Sequence, residues 1–168
     1  MSTTESGALF SPCARYRYEL WRRWDLSTPP VTWIMLNPST AGERVDDPTI
    51  RKCMKFARTW GFGGIRVVNL FAYRATNPKD LWGLGPQVAV GPECSHRIVD
   101  ALQGAGLVVA AWGRDGSRWG RSGNVRAALI GSRPHALRLT NSGEPYHPLY
   151  LPDDTEPFLL EARETARP

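Results

Sequence analysis

The chain has 168 residues, of which 42% are hydrophobic and 22% charged, a composition typical of one folded domain and not of a disordered chain. No apolar run approaches the length of a transmembrane helix and the N-terminus lacks a signal-peptide pattern, so we expect a cytoplasmic protein without a membrane partner. The net charge of +5 is carried almost entirely by arginine, which fits a nucleic-acid or nucleotide partner.

The three cysteines lie far apart in the chain and form no CxxC pair. A disulfide framework, a zinc knuckle and iron–sulfur ligation are therefore not expected. Buried free thiols are the simplest interpretation of Cys13, Cys53 and Cys94. The histidines show no metal-ligand spacing to cysteines or carboxylates, so we expect neither a metal nor an organic cofactor.

The first quarter of the chain predicts a flexible segment followed by two strands. Residues 1–14 are expected to be a flexible N-terminus, and residues 15–168 a single α/β domain. Alternating charged and aromatic residues at 15–21 predict a half-buried strand, and the apolar residues 33–36 predict a second. The second strand ends at Asn37, which the following proline holds in a fixed turn.

Helix signals alternate with strand signals along the rest of the chain. An acidic cap at Asp47, followed by proline, predicts a helix that ends at Gly61. The apolar runs 65–70 and 107–112 predict buried strands. Further predictions are short helices after Asn77-Pro78 and Gly91-Pro92-Glu93, a Gly/Arg/Ser loop at 114–121, a helix at 125–130, a strand at 136–139 and a loose helix at 156–167. This order predicts a three-layer α/β/α fold with a mostly parallel central sheet.

Polar residues follow several predicted strand ends, at the sheet edge where open α/β folds bind ligands. Asn37 and Asn69 each end an apolar run, and His147 lies in a late loop between Pro145 and Pro148. A carboxamide can read the edge of a base, and a restrained histidine can donate to developing negative charge. Each asparagine can equally anchor its own turn, and a single histidine can be structural.

Two acidic residues precede the first predicted helix. Asp46 and Asp47 could supply a general base, and they could equally cap the helix. Their position immediately before Pro48 favours the capping role.

An arginine-rich segment follows the strand that ends at Trp112-Gly113. It contains Arg114, Arg118 and Arg121, with Trp119 among them. Basic residues interleaved with an aromatic ring suit contacts to a phosphate backbone and a stacked base. A solvated arginine loop is the alternative interpretation.

These segments together resemble the domain-of-unknown-function family number 1643, from about residue 16 to residue 151. The motifs that carry the resemblance are Met35–Ala41, Asp47–Thr49, Asn69–Thr76, Gly91-Pro92, Ala111–Gly113 and His147–Tyr150. Cys94-Ser95 departs from the Asn-Asp pair that the family pattern has at this point. The family name implies no function.

The order of the strand ends is also similar to that of the uracil-DNA glycosylase superfamily. Leu36-Asn37-Pro38 resembles a strand end whose asparagine positions the attacking water, and Val67-Val68-Asn69 resembles one whose asparagine reads the base edge. Trp112-Gly113 resembles a third strand end. His147-Pro148 resembles the start of the closing motif, whose histidine stabilises the leaving base anion, whereas Leu149-Tyr150 replaces the serine and second proline of that motif.

The second resemblance implies a uracil-DNA-glycosylase-like fold and a DNA glycosylase-like hydrolase. Such an enzyme cleaves the N-glycosidic bond of a damaged, deaminated or modified base without a cofactor, and Asn37 and His147 would be its catalytic residues. Candidate base-binding residues are then Asn69, Phe71, Tyr73 and Trp112, and candidate nucleic-acid backbone contacts are Ser39, Arg74, Arg114, Arg118 and Arg121. A nucleoside or nucleotide hydrolase and a non-catalytic nucleic-acid or nucleotide binding module are the alternatives.

Overall fold

In the computed structural model, which describes residues 4–40 and 43–160, seven strands form one mixed sheet. The strands are β1 (Glu5–Phe10), β2 (Arg17–Arg23), β3 (Val31–Met35), β4 (Gly64–Asn69), β5 (Leu107–Ala110), β6 (His135–Ala136) and β7 (Phe158–Leu159). Their order across the sheet is β1-β2-β4-β3-β5-β6-β7. The four central strands β4, β3, β5 and β6 are parallel, whereas β1, β2 and β7 pair antiparallel at the two edges.

Helices cover both faces of this sheet. They are α1 (Pro48–Thr59), α2 (Lys79–Trp82), α3 (Pro86–Val90), α4 (Cys94–Ala101) and α5 (Arg121–Leu129), with 3-10 segments at Arg114–Gly120 and Ile130–Ser132. None of the helices in the described part of the chain is long and apolar enough to cross a bilayer.

Two hydrophobic cores result, one on each side of β3. Every residue of β3 is buried, and Trp33 and Met35 pack with Phe56 of α1 in the first core. Ile34 faces the opposite way and packs in the second core, to which α2, α3, α4 and α5 all contribute buried residues. A strand covered on both faces explains why the central runs are apolar throughout rather than alternating.

The helix α1 begins where its cap predicts. The carboxylate of Asp47 accepts a hydrogen bond from the backbone N–H of Ile50 (2.8 Å), and Pro48 occupies the first turn, where its missing N–H costs nothing. The apolar positions Ile50, Phe56 and Ala57 then fall on the buried face. The helix prediction from Asp47 to Gly61 is therefore confirmed to within two residues at its end.

Three predictions about the architecture need correction. A mostly parallel sheet holds only for the four central strands. The N-terminus, expected to be flexible over residues 1–14, forms edge strand β1, because Gly7 lets the backbone lie directly on the indole of Trp21. The helix expected at 156–167 is not formed in its described part, where β7 adds a short antiparallel edge to β6. The rest of that segment, and the end of the predicted domain 15–168, lie outside the described residues.

The arginine-rich segment also differs from the predicted loop. It is a kinked 3-10 segment in which Trp119 adopts a left-handed backbone (φ +54°), and α5 begins at Arg121 rather than at Val125. The helix α3 was not predicted, because five residues are too few for a helical period to show.

Gly7→Ala tests the docking of β1. An added Cβ would lie 2.1 Å from the Trp21 indole. We therefore expect the free energy of unfolding, measured by urea titration, to fall by about 1–3 kcal/mol. Ser6→Ala, at the exposed neighbouring position, should change it by less than about 0.5 kcal/mol. Equal stability of the two variants would show that β1 does not pack on β2.

Candidate functional site

The parallel pairing of β3 with its neighbours brings three strand ends together. Met35 stands opposite Asn69 in the register with β4, and Ile34 stands opposite Ala110 in the register with β5. Backbone hydrogen bonds continue past the strand ends, from the N–H of Leu70 to the carbonyl of Met35 (2.9 Å). The polar residues just beyond each strand therefore meet at one edge of the sheet.

A cavity of about 270 Å³ lies at this edge, and we call it the strand-end cavity. Five of the residues predicted from the sequence line it: Asn37, Ser39, Asn69, Trp112 and His147. Other lining residues are Arg17, Leu36, Asp47, Thr49 and Thr76. The catalytic and base-reading candidates are thus adjacent in space, although more than 100 residues separate the first from the last in the chain.

Asn37 is held firmly by its side chain. Its carboxamide nitrogen donates to the carbonyl oxygens of Ala75 (2.9 Å) and Pro38 (3.1 Å). Both amide hydrogens are thereby used, and the side chain connects the end of β3 to the loop that follows β4. Its Oδ1 atom remains as the group that can accept a hydrogen bond in the cavity.

Asn69, unlike Asn37, is not held by hydrogen bonds of its side chain to the described residues. Its side chain is only 4% exposed, yet its carboxamide has no hydrogen-bond partner among the residues that the structure describes. Buried amides are normally paired, because an unpaired one loses its hydrogen bonds to water without compensation. The carboxamide of Asn69 therefore offers one acceptor and two donors to whatever enters the cavity.

His147 is held as a neutral donor. Its Nδ1 atom accepts a hydrogen bond from the backbone N–H of Leu149 (3.3 Å), so in the neutral ring the proton resides on Nε2. Burial lowers the pKa of His147 below its ordinary value, whereas the negative charge of Asp47 acts in the opposite direction and more weakly. The imidazole is thus neutral at pH 7 and keeps one N–H to donate.

Two charged residues also line the cavity: Asp47, for which the sequence allowed either a general base or a helix cap, and Arg17, which the sequence did not single out. Asp47 caps α1 with Oδ1, and its Oδ2 accepts a long hydrogen bond from the hydroxyl of Ser39 (3.4 Å). Arg17 is 4% exposed, and burial lowers the pKa of its guanidinium to about 10 while Asp47 opposes the shift. Arg17 therefore remains a cation at pH 7. The alternating pattern at 15–21 gave no sign that this arginine lies inside the protein.

Trp112 forms a rigid wall of the cavity. It is 1% exposed, and its indole N–H donates to the buried carboxylate of Glu144 (2.5 Å). Glu144 also accepts a hydrogen bond from Ser122 (2.9 Å), so its charge is well solvated by the protein. Gly116 lies against the ring, where a Cβ would come within 2.1 Å of it. The ring can contact a ligand but cannot swing towards one.

Phe71 and Tyr73, predicted to bind the base, do not line the strand-end cavity; Phe71 lines a separate cavity of about 510 Å³. Phe71 is fully buried in the second core, edge-on to Trp82 (5.5 Å) and Trp119 (5.9 Å) between ring centres. Tyr73 packs edge-on to Tyr16 at 5.6 Å. Proximity to Asn69 in the chain did not translate into proximity in space, because these side chains pack on neighbouring elements.

Three of the four arginines expected to contact a nucleic-acid backbone are used by the protein itself. Arg121 is buried, and its guanidinium donates to the Leu70 carbonyl (2.8 Å) and to the Ser95 hydroxyl (3.0 Å). Arg74 donates to two backbone carbonyls, and Arg118 stacks on the ring of Trp82.

Arg114 alone among these arginines lines an open space next to the candidate site. This space, the side groove, has a volume of about 680 Å³. Its lining includes Arg114, Arg138, Thr140, Asn141, Tyr146 and His147. His147 is the residue that the side groove and the strand-end cavity share. The described lining of the side groove contains two guanidinium groups and no carboxylate.

The described residues contain no group of three or more histidine, cysteine or acidic side chains that could hold a metal ion. The three cysteines are free. Cys53 and Cys94 are buried as expected, whereas Cys13 is exposed, which corrects its interpretation as a buried thiol.

Comparison with known families adds one finding to this geometry. A family described as "Protein of unknown function (DUF1643)" matches residues 17–149, which include all the described residues that line the strand-end cavity. The chain belongs to this family. The comparison thereby confirms the assignment made from the sequence motifs. No curated protein and no solved structure matches the chain.

The buried histidine predicts how stability depends on pH. Because the pKa of His147 is lower in the folded state, the unfolded chain binds more protons below the ordinary value of 6.5. Above pH 6.5 His147 is neutral in both states and does not reduce the free energy of unfolding. As the pH falls below 6.5, the unfolded chain takes up the proton first, and the free energy of unfolding decreases. His147→Asn should flatten this part of the curve of unfolding free energy against pH. His96→Asn, at a side chain that is 78% exposed, should not.

Proposed function

We propose that this protein hydrolyses the N-glycosidic bond of a damaged, deaminated or modified base, as a DNA glycosylase-like enzyme with a uracil-DNA-glycosylase-like fold. The observation that carries the proposal is the unpartnered carboxamide of Asn69, buried in a cavity whose wall also contains Asn37 and His147. The order of these strand ends along the chain supports the fold assignment.

The size and lining of the strand-end cavity suit a single base. Its volume of about 270 Å³ is just below the range of roughly 300–1,000 Å³ typical of small-molecule sites. Asn69 can pair with the amide-like edge of a pyrimidine through one acceptor and one donor. Trp112 forms a flat apolar wall next to that edge. A base that enters this cavity must first leave the duplex stack.

Cleavage of the N-glycosidic bond leaves negative charge on the base and positive charge on the sugar, and the site contains one polar residue near each of these positions. The departing base becomes an anion, which the Nε2–H of His147 stabilises by a hydrogen bond. The sugar carbon becomes electron-poor and is attacked by water, which the Oδ1 atom of Asn37 orients. The neutral state of His147 suits this role, since a donor with a lowered pKa holds its hydrogen bond without adding a full charge to the buried site.

A free nucleoside or nucleotide is the second candidate substrate, and one observation favours it. Arg118 and Arg121, which were expected to contact a polynucleotide, are engaged within the protein. The side groove favours a polynucleotide substrate instead. Arg114 and Arg138 line it next to the cavity, and its described lining contains no carboxylate that would repel phosphates. A non-catalytic binding module would use the same two spaces.

An excision assay tests the proposal. The protein is incubated with oligonucleotides that carry uracil, hypoxanthine, mismatched thymine or a modified base, and alkali-labile sites are counted. We expect cleavage of at least one of them, and His147→Ala should lower its single-turnover rate by about 100- to 1,000-fold while binding persists. Asn69→Ala should weaken binding as well, because the base edge loses its partners.

Matched variants separate chemistry from folding in this assay. His96→Ala and Asn124→Ala change an exposed histidine and an exposed asparagine outside the cavity, and should retain the wild-type rate. Binding without product would support the non-catalytic module. Failure of the folded protein to cleave any of these oligonucleotides, or free deoxyuridine, would contradict an N-glycosidic hydrolase.

The side groove predicts a second measurement. If a nucleic-acid strand lies there, replacing both Arg114 and Arg138 by glutamine should reduce the slope of log affinity against log salt by about 2, roughly one for each lost phosphate contact. Arg118→Gln should keep the slope, because this side chain stacks on Trp82 outside the groove. Equal slopes for all three proteins would favour the free nucleoside.

A further inference from the structure

We propose that Asp47 is the general base that removes a proton from the attacking water. This inference rests on the proposed function and adds the group that it lacks, because the amide of Asn37 can orient water but cannot accept a proton at neutral pH. Asp47 is the one carboxylate among the described residues that line the strand-end cavity.

The capping bond gives this carboxylate a defined position. Its Oδ1 atom is held by the backbone N–H of Ile50 at 2.8 Å, in the first turn of α1. Its Oδ2 atom contacts the hydroxyl of Ser39 at 3.4 Å, a distance beyond that of a strong hydrogen bond. One oxygen thus anchors the side chain, and the other has capacity to accept a proton from water in the cavity.

The charges around Asp47 suit such a base. The guanidinium of Arg17 from β2 and the imidazole of His147 from the late loop interact electrostatically with it. From α1 itself, the buried thiol of Cys53 also faces it, and burial together with the charge of Asp47 raises the pKa of that thiol, which stays neutral. The carboxylate is therefore flanked by one cation and two neutral groups.

Asp46 shows that the adjacent acid has a different role. Its carboxylate forms an ion pair with the buried Arg22 (2.8 Å between Oδ1 and Nε), and it does not line the cavity. The two neighbouring aspartates are therefore a natural pair of test and control positions.

The step conserves atoms and electrons. Water oxygen forms a bond to the anomeric carbon of the sugar while one of its protons moves to Oδ2 of Asp47. The carbon–nitrogen bond breaks, and its electron pair leaves with the base, which the Nε2–H of His147 stabilises. The proton on Asp47 then returns to the base or to solvent, so that the products are the free base and the hydroxylated sugar.

Asp47→Asn is the decisive variant, since asparagine caps helices as well as aspartate does and leaves α1 intact. With an oligonucleotide that the wild type cleaves, we expect the single-turnover rate to fall about 100- to 10,000-fold. The acid limb of the wild-type pH–rate profile should also disappear, whereas it should persist in His147→Asn. Asp46→Asn should keep both the rate and the limb.

A rescue experiment adds a readout that a structural role would not produce. Asp47→Gly removes the carboxylate and leaves space, and glycine is itself tolerated at the cap. Added formate should restore part of its activity, and should leave Asp47→Asn and the wild type unchanged. If the wild type cleaves and Asp47→Asn retains its rate within tenfold or its acid limb, Asp47 is not the base and the proposed function stands. If the folded wild type cleaves no substrate, both proposals fail.

Discussion

The register of β3 against its two parallel neighbours is the constraint on which the candidate site depends. Side chains of a strand alternate between faces, so a slip of one residue would exchange the two cores and turn Trp33 towards the side now occupied by Ile34. Both faces are packed, which makes such a slip very unfavourable. The same register that satisfies the cores places Met35 opposite Asn69, and thus brings the two asparagines to one edge.

Some polar groups near that edge are hydrogen-bonded within the protein, and others are free to bind a ligand. Asn37, Glu144 and Arg121 have their hydrogen-bonding atoms largely occupied by the protein. Asn69 does not, although it is nearly as buried as the core. A rigid frame around one unpaired group is the arrangement expected of a preorganised site, since the frame excludes rearrangement that would satisfy the group internally.

The sequence predicted well what depends on local chain direction. Asn37, Asn69 and Trp112 follow apolar runs that are typical of central parallel strands, and the carboxyl ends of such strands lie at one edge of the sheet. The sequence was a poor guide to the partners of long side chains. Arg121 and Phe71 turn into the second core, a choice made by partners on α4 and the 3-10 segment that no local pattern reveals.

Arg17 was missed as a cavity residue for a related reason, and Asp47 was favoured as a helix cap over a general base. The sequence around Arg17 has the alternation of a half-exposed strand, whereas Arg17 and Tyr18 are both buried at the start of β2. Asp47 carries a clear capping signal, and that signal made a general base the less favoured of the two interpretations. Only the structure shows that the start of α1 faces the strand ends, so that the capping carboxylate also lines the cavity.

The proposed double use of Asp47 has a consequence for how the family can diverge. The helix cap accepts aspartate, asparagine, serine or threonine with little difference, whereas proton transfer accepts only the acid. Relatives with asparagine, serine or threonine here would keep the cap of α1 and, under the proposal that Asp47 is the base, would lose the reaction. Under that proposal, variation at this one position would separate catalytic from binding-only relatives, and its cost in stability would come from the lost negative charge near the buried Arg17.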